Sequence, residues 1–286
     1  FLLWDRAGTR PSLDLQFADR KDLIDAISGQ QLITFTRASA GTYVGSDGLI
    51  KTATTNEARF DHDPVTGESL GLLVEEARTN SIRNNTMVGA VAGTPGTTPT
   101  NWNVVTTNVG ISREVIGTGT ENGITYIDIK YSGTTTGSGV MNIVPEDGVT
   151  ASSGQAWTSS AYVTLVGGSL ANLTLIHRIR QAVSGGGFLA ATDQTLSPAS
   201  GDLINNRYSV TLSSAPATIA TLGQYLFLTF AASGLAIDIT LRIGLPQLEQ
   251  GAFATSVIPT TTSTVTRSAD VLTDTSTGAN IRTLYA

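Results

Sequence analysis

A chain of 286 residues with a net charge of −6 and no cysteine can bury a sizeable core, but it has no disulfide, thiolate metal site or cysteine nucleophile to draw on. Only 14% of its residues are charged and no basic run occurs, so the counterion-displacing patch that nucleic acid requires is missing. No apolar run approaches ~18 residues, so no membrane insertion is expected, and Phe1-Leu2-Leu3-Trp4 is too short and lacks the basic flank of a secretory signal.

In chain order, the opening residues 1–32 contain one helical candidate. Leu23, Ile24 and Ile27 fall on one side of two turns over Asp19–Ile27, stopped at Gly29. Residues 33–50 read as a hairpin, with Ile33 and Phe35 alternating with Thr34 and Thr36 and a turn at Asp47-Gly48. Residues 56–68 are irregular, with turns at Asp63-Pro64 and Thr66-Gly67, and Gly71 to Val74 is a short apolar strand. Gly89, Gly93, Pro95, Gly96 and Pro99 then mark residues 84–101 as a linker.

From Trp102 the rhythm is that of short alternating strands. Ile127, Ile129 and Tyr131 share a face, as do Trp157, Ser159, Ala161, Val163 and Leu165, then Leu173, Leu175, His177 and Ile179, then Tyr208, Val210 and Leu212. Tyr225 to Phe230 is almost continuously apolar and reads as a central strand buried on both faces. Ile237, Ile239, Leu241, Ile243 and Leu245 give the clearest period of two. Glycine turns separate these strands without intervening helical patterns. The expected fold is therefore all-β, an antiparallel jelly-roll β-sandwich at 102–245. A smaller β base would come from residues 1–83 completed by 246–286, whose Thr/Ser-rich tail after Pro259 is extended.

The residues that could carry chemistry are few. Glu75 and Glu76 are adjacent and point to opposite faces of a strand, so they cannot act as the paired carboxylates of glycoside hydrolysis. Asp61-His62-Asp63 is the one metal-like cluster, and Asp61 and Asp63 read more simply as turn residues bonded to local backbone N–H groups. His177 faces inward and reads as a core or interface histidine. Gly185-Gly186-Gly187 and Gly117-Thr118-Gly119 lack the Lys-Ser/Thr or βαβ frame of a phosphate loop. No cofactor is expected and no catalytic group is assigned.

Sugar binding is the more physical possibility, because a ring stacks on Trp or Tyr while amides take its hydroxyls. The aromatic candidates are Trp102, Tyr126, Trp157, Tyr162 and Tyr208, with Asn101, Asn103, Gln155, Asn172 and Gln181 as polar partners. Trp157 reads as core, whereas Trp102 between two asparagines is the better stacking candidate.

Two framing sets of motifs remain. The first runs Ile33-Thr34-Phe35-Thr36-Arg37-Ala38-Ser39, then Asn56-Glu57-Ala58-Arg59-Phe60-Asp61-His62-Asp63-Pro64, then Leu72-Leu73-Val74-Glu75-Glu76-Ala77-Arg78-Thr79-Asn80. The second is Pro246-Gln247-Leu248-Glu249-Gln250-Gly251-Ala252-Phe253-Ala254-Thr255-Ser256-Val257-Ile258-Pro259-Thr260, followed by Thr266-Arg267-Ser268-Ala269-Asp270. Together they resemble a family of tailed-bacteriophage and prophage structural proteins in which such segments enclose a carbohydrate-binding-module-like sandwich.

The resemblance implies a place in the virion, in a tail fibre, spike or other surface appendage, commonly as a homotrimer beside other virion proteins. It implies no catalytic site. Host attachment, recognition of a host-surface glycan and a purely structural capsid role all stay open, and so does a missing further receptor-binding domain, since many relatives continue where this chain stops. The motif residues also have a direct reading. Arg37, Arg59, Arg78 and Arg267 recur beside Glu75, Glu76 and Asp270 in a charge-poor chain, and bidentate Arg–carboxylate pairs would dock the two framing segments side by side.

Overall fold

The computed structural model describes residues 13–106 and 110–274; Phe1-Leu2-Leu3-Trp4 and residues 275–286 of the expected tail lie outside them. The chain forms two compact units. Among the described residues, one contains those up to Ala77 and from Arg267 onward, and the other those of Arg78–Thr266. The division falls at 77/78 and 266/267 rather than at 83 and 246, because the segment after Pro246 belongs with the second unit.

In the first unit the strands are short: β1 (Ile33–Thr36), β2 (Gly41–Val44), β3 (Ile50–Ala53), β4 (Phe60–His62), β5 (Ser69–Leu72) and, at the far end of the chain, β18 (Val271–Asp274). The hairpin is narrower than the sequence suggests. β2 and β3 form it around the Asp47-Gly48 turn, while β1 pairs antiparallel with β18, Phe35 opposite Leu272. Turn chemistry marks local pairing but is silent about a partner at the other end of the chain.

The helix expected over Asp19–Ile27 does not form. The Asp25 carboxylate accepts from the N–H groups of Asp14, Ile27 and Ser28 and from Ser28 Oγ, and these local bonds hold a turn in place of a helix.

The second unit is a sandwich of two five-stranded antiparallel sheets. One contains β8 (Ile111–Glu121), β9 (Ile124–Thr134), β11 (Trp157–Gly168), β14 (Arg207–Leu212) and β16 (Ala236–Gln250), in the order β14-β11-β16-β9-β8. The other contains β7 (Asn103–Thr106), β10 (Gly139–Thr150), β12 (Thr174–Ala182), β13 (Phe188–Leu196) and β15 (Thr221–Phe230), in the order β13-β12-β15-β10-β7. β6 (Arg78–Asn80) and β17 (Val265–Arg267) stand at the limits of the unit.

The expected alternation builds the core. Ile127, Ile129, Tyr131, Ile239, Leu241 and Ile243 from one sheet meet Met141, Ile143, Leu175, Leu226 and Leu228 from the other. Each such side chain contributes roughly 1.5–3 kcal/mol through burial, so this layer holds the sheets face to face.

The linker expected at 84–101 is instead pinned into this unit. Asn84 and Asn85 are fully buried. Asn84 bonds the carbonyls of Val88 and Thr100, and Asn85 bonds Ile258 and Thr260. Glycine and proline forecast an irregular path there but not whether it packs. Asn80 likewise bonds the backbone of Leu248 and Ile258. The end of the first framing motif therefore lies beside the Pro246–Thr260 segment.

Candidate functional site

In an antiparallel pair, residues directly opposite each other share a face. The registers of β13, β12, β15 and β10 put Thr195, Ile176, Phe227 and Asn142 in one row on the outer side of their sheet, and Asp193, Arg178 and Tyr225 in the next. Leu226 and Leu228, one residue on, face the core. The Tyr225 and Phe227 rings lie 5.6 Å apart at 31°.

Arg178 lies over Phe227, its Cζ 4.2 Å from the ring centroid, and is held by a bidentate pair to Asp193 at 2.6 Å on both arms. The Tyr225 hydroxyl donates to Asp147 Oδ2 at 2.5 Å, and Arg180 reaches the same carboxylate at 3.8 Å while donating to the Gly186 carbonyl. Burial, and then the Asp147 carboxylate, hold the Tyr225 hydroxyl above its ordinary range. Asn142, 6% exposed between Phe227 and Val105, keeps an Oδ1 without a hydrogen-bond partner.

The half-buried Phe227, two fixed guanidinium groups and two solvent-facing carboxylates can grip a ligand that offers both a C–H face and many hydroxyls, while Tyr225, 7% exposed, supports them through its bond to Asp147.

Directly behind this face lies a sealed polar cluster. Ser159 Oγ and Gln224 Nε2 both approach His177 Nε2, at 2.8 and 2.9 Å, and Gln224 also donates to the Ser160 carbonyl. Ser159, His177 and Gln224 are fully buried. Burial pushes the His177 imidazole down to about 4. The inward position expected of His177 is the one observed.

None of the ten residues considered for sugar stacking or its polar support belongs to the aromatic centre of this face. Trp102 is 7% exposed, packs in the core and donates from Nε1 to the Asn84 carbonyl at 2.6 Å; its flanking asparagines made it look exposed, but a buried carbonyl takes its N–H. Asn101 is exposed at a positive φ of 75°, and Asn103 is exposed on β7 with its Oδ1 on the Val104 N–H.

Tyr126 and Tyr162 lie on the opposite sheet. There Tyr126 sits under Arg242, whose Cζ is 3.8 Å from its ring, and Tyr162 is 5% exposed. Among the other polar candidates, Gln155 accepts from Trp157 Nε1, Asn172 bonds the Ala236 carbonyl and Gln181 is buried against Thr192. Tyr208 packs against the core and Trp157 lies within it. The expectation that this strand is buried on both faces holds for Tyr225, 7% exposed, and fails for the half-buried Phe227. The signal was present: Phe227 alternates with Leu226 and Leu228 and matches Ile176 across the sheet.

The docking residues form a network in the first unit. Asp270 accepts from Arg37 at 3.1 Å and from Arg59, and Glu75 accepts from Arg59 at 2.7 Å and lies 3.2 Å from Arg267. Arg37, Arg59 and Arg267 are buried, and Glu76 takes part through its carbonyl, which Arg267 bonds. Arg78 stands apart from this network, bonding the Gln250 carbonyl and lying over Phe253 in the second unit. Asp61 and Asp63 accept backbone N–H groups, from Val44 and from Val65 and Thr66. Among the described residues no group of His, Asp and Glu is arranged to hold a metal, and no helix is long and apolar enough to cross a membrane.

No protein-family model matches this sequence, and no curated protein matches it. Among solved structures, an arabinose-bound α-L-arabinofuranosidase is similar at 13% identity and a TM-score of 0.38, over 62% of this chain and 27% of that enzyme. A family 11 carbohydrate-binding module from Clostridium thermocellum, in complex with a β-1,3-1,4-mixed-linked tetrasaccharide, is similar at 12% identity and a TM-score of 0.35, over 63% of this chain and 100% of the module. A structure titled for the promiscuous specificity of carbohydrate-binding modules of the β-sandwich superfamily is similar at 13% identity and a TM-score of 0.34, over 79% and 87% of the two chains. What the chain has in common with these structures is a β-sandwich.

Proposed function

We propose that this chain is a non-enzymatic carbohydrate-binding module whose site is the outer face of β13-β12-β15-β10. The observation that carries the reading is the Tyr225–Phe227 pair, flanked by Arg178, Arg180, Asp193 and Asp147. Two points support a binding rather than a hydrolytic role. Asp193 and Asp147 stand on strands three steps apart, about 14 Å at the ~4.8 Å strand spacing, and each carboxylate is turned to its own arginine, Arg178 and Arg180. The Ser159–His177 pair is closed off between the sheets, where no substrate reaches it. The test is a glycan array probed with the parent protein and with Phe227→Ala. Saturable binding lost in the variant supports the reading, and binding that survives it places the site elsewhere.

The setting we propose is a phage virion, as a homotrimeric surface appendage that contacts host glycan. This rests on the framing motifs and their resemblance to tailed-phage structural proteins. Antibody labelling of purified particles by electron microscopy tests it, and light scattering tests the trimer.

A further inference from the structure

We infer that the ligand of the Tyr225–Phe227 face is an uncharged oligosaccharide longer than one ring, lying across the strands. The inference rests on the carbohydrate reading above and adds the ligand's charge and length.

The charge follows from which groups meet solvent. The two guanidinium groups are committed, Arg178 to Asp193 and to the Phe227 ring, Arg180 to Asp147 and the Gly186 carbonyl. Their side chains are 22% and 20% exposed, whereas Asp193 and Asp147 are 38% and 41% exposed. Arg83, which belongs to none of these strands, is bound by both oxygens of Glu146 and is 47% exposed. Between Asp193 and Asp147 a ligand therefore meets carboxylate oxygens first. These accept from hydroxyl groups, whereas a uronic acid or a sulfate brings its own negative charge against them.

The length follows from the strand order. Asp193, Arg178, Tyr225 and Asp147 stand on four successive strands, so the polar groups extend about 14 Å at right angles to the strands. That is longer than a single pyranose ring. One ring could touch the aromatic pair or one carboxylate, but not both ends.

The experiment is calorimetric titration of the full chain with gluco-, galacto-, manno- and xylo-oligosaccharides, from monosaccharide to hexasaccharide, beside oligogalacturonides and alginate oligomers of the same lengths. Asp147→Asn is titrated in parallel. The expected result is affinity that rises at least about tenfold from mono- to trisaccharide and is at least about tenfold weaker for the uronic series, with part of that gap closed by Asp147→Asn. Uronic chains that bind as tightly as neutral ones, or monosaccharides that bind as tightly as trisaccharides, overturn the inference while leaving the carbohydrate reading standing. If none of these sugars binds at millimolar concentration, both fall together.

Discussion

The two outer faces of the sandwich carry similar chemistry and differ in how far their carboxylates reach solvent. On the β14-β11-β16-β9-β8 sheet, Tyr126 lies under Arg242, which is held by both oxygens of Asp128 and by Glu121, and Arg207 lies over Tyr162. On the β13-β12-β15-β10-β7 sheet, Phe227 lies under Arg178, held by both oxygens of Asp193. The first face is closed by the short 3-10 turn Leu203–Asn205. Leu203 is 0% exposed, its N–H donates to Glu121 Oε1, and its side chain lies over Gly244, which stands opposite both Tyr126 and Tyr162. The arginines are alike in exposure, Arg242 at 21% and Arg178 and Arg180 at 22% and 20%, and the carboxylates are not: Asp128 and Glu121 are 14% and 24% exposed, Asp193 and Asp147 38% and 41%. What separates the two faces is how far their carboxylates reach solvent, not the residue types.

Buried and exposed arginines give the sharpest contrast. Arg37→Ala leaves Asp270 with a buried charge and one guanidinium fewer, and should destabilise the first unit by about 3–5 kcal/mol in urea unfolding. If the variant unfolds no more easily than its parent, the network does not hold that unit together. Leu203→Ala should cost about 2–4 kcal/mol, because it empties a fully buried site on the closed face, and it should leave glycan affinity unchanged. A loss of binding there would show that the two faces are not independent.

The sealed cluster predicts a pH effect with a definite sign. His177 stays neutral in the folded chain down to about pH 4, whereas an unfolded histidine protonates near its ordinary value of ~6.5. The unfolded state therefore binds more protons in that interval. Stability is full above pH ~6.5 and falls by about 3 kcal/mol as the pH drops to ~4. His177→Gln should remove this slope in denaturation curves taken across the window, and an unchanged slope would assign the effect to other groups.

On the open face the effects move from stability to binding. Arg178→Ala should change stability by less than about 1 kcal/mol, since its ion pair is partly exposed, while weakening glycan binding at least about tenfold by calorimetry. Tyr225→Phe keeps the ring, and its effect is read in urea unfolding. It removes one hydrogen bond to Asp147, worth about 0.5–1.5 kcal/mol.

The alternation of Ile127, Ile129 and Tyr131 and of Ile237 to Ile243 made the sandwich legible, because a period of two with one buried face has a single structural solution. The first unit was legible in its chemistry but not in its pairing. Arg37, Arg59 and Asp270 stood out in a charge-poor chain, yet the β1–β18 pairing joins segments at opposite ends, and no local pattern encodes it.

The candidate site was the least legible part. Trp102 looked exposed because its neighbours are asparagines, while the Asn84 carbonyl that takes its N–H is a backbone group invisible to composition. Phe227 looked fully buried because an apolar run does not say which of its faces another sheet will cover, whereas Tyr225 is buried as its run suggests.

The most direct test of the account is an NMR titration of the full chain with the tightest-binding neutral oligosaccharide, read at backbone amides and aromatic side chains. The account predicts shifts concentrated at Arg178, Arg180, Asp193, Tyr225 and Phe227, with Tyr126, Tyr162 and Arg242 unmoved. Shifts centred on those last three residues would contradict it and place recognition on the sheet that Leu203 covers.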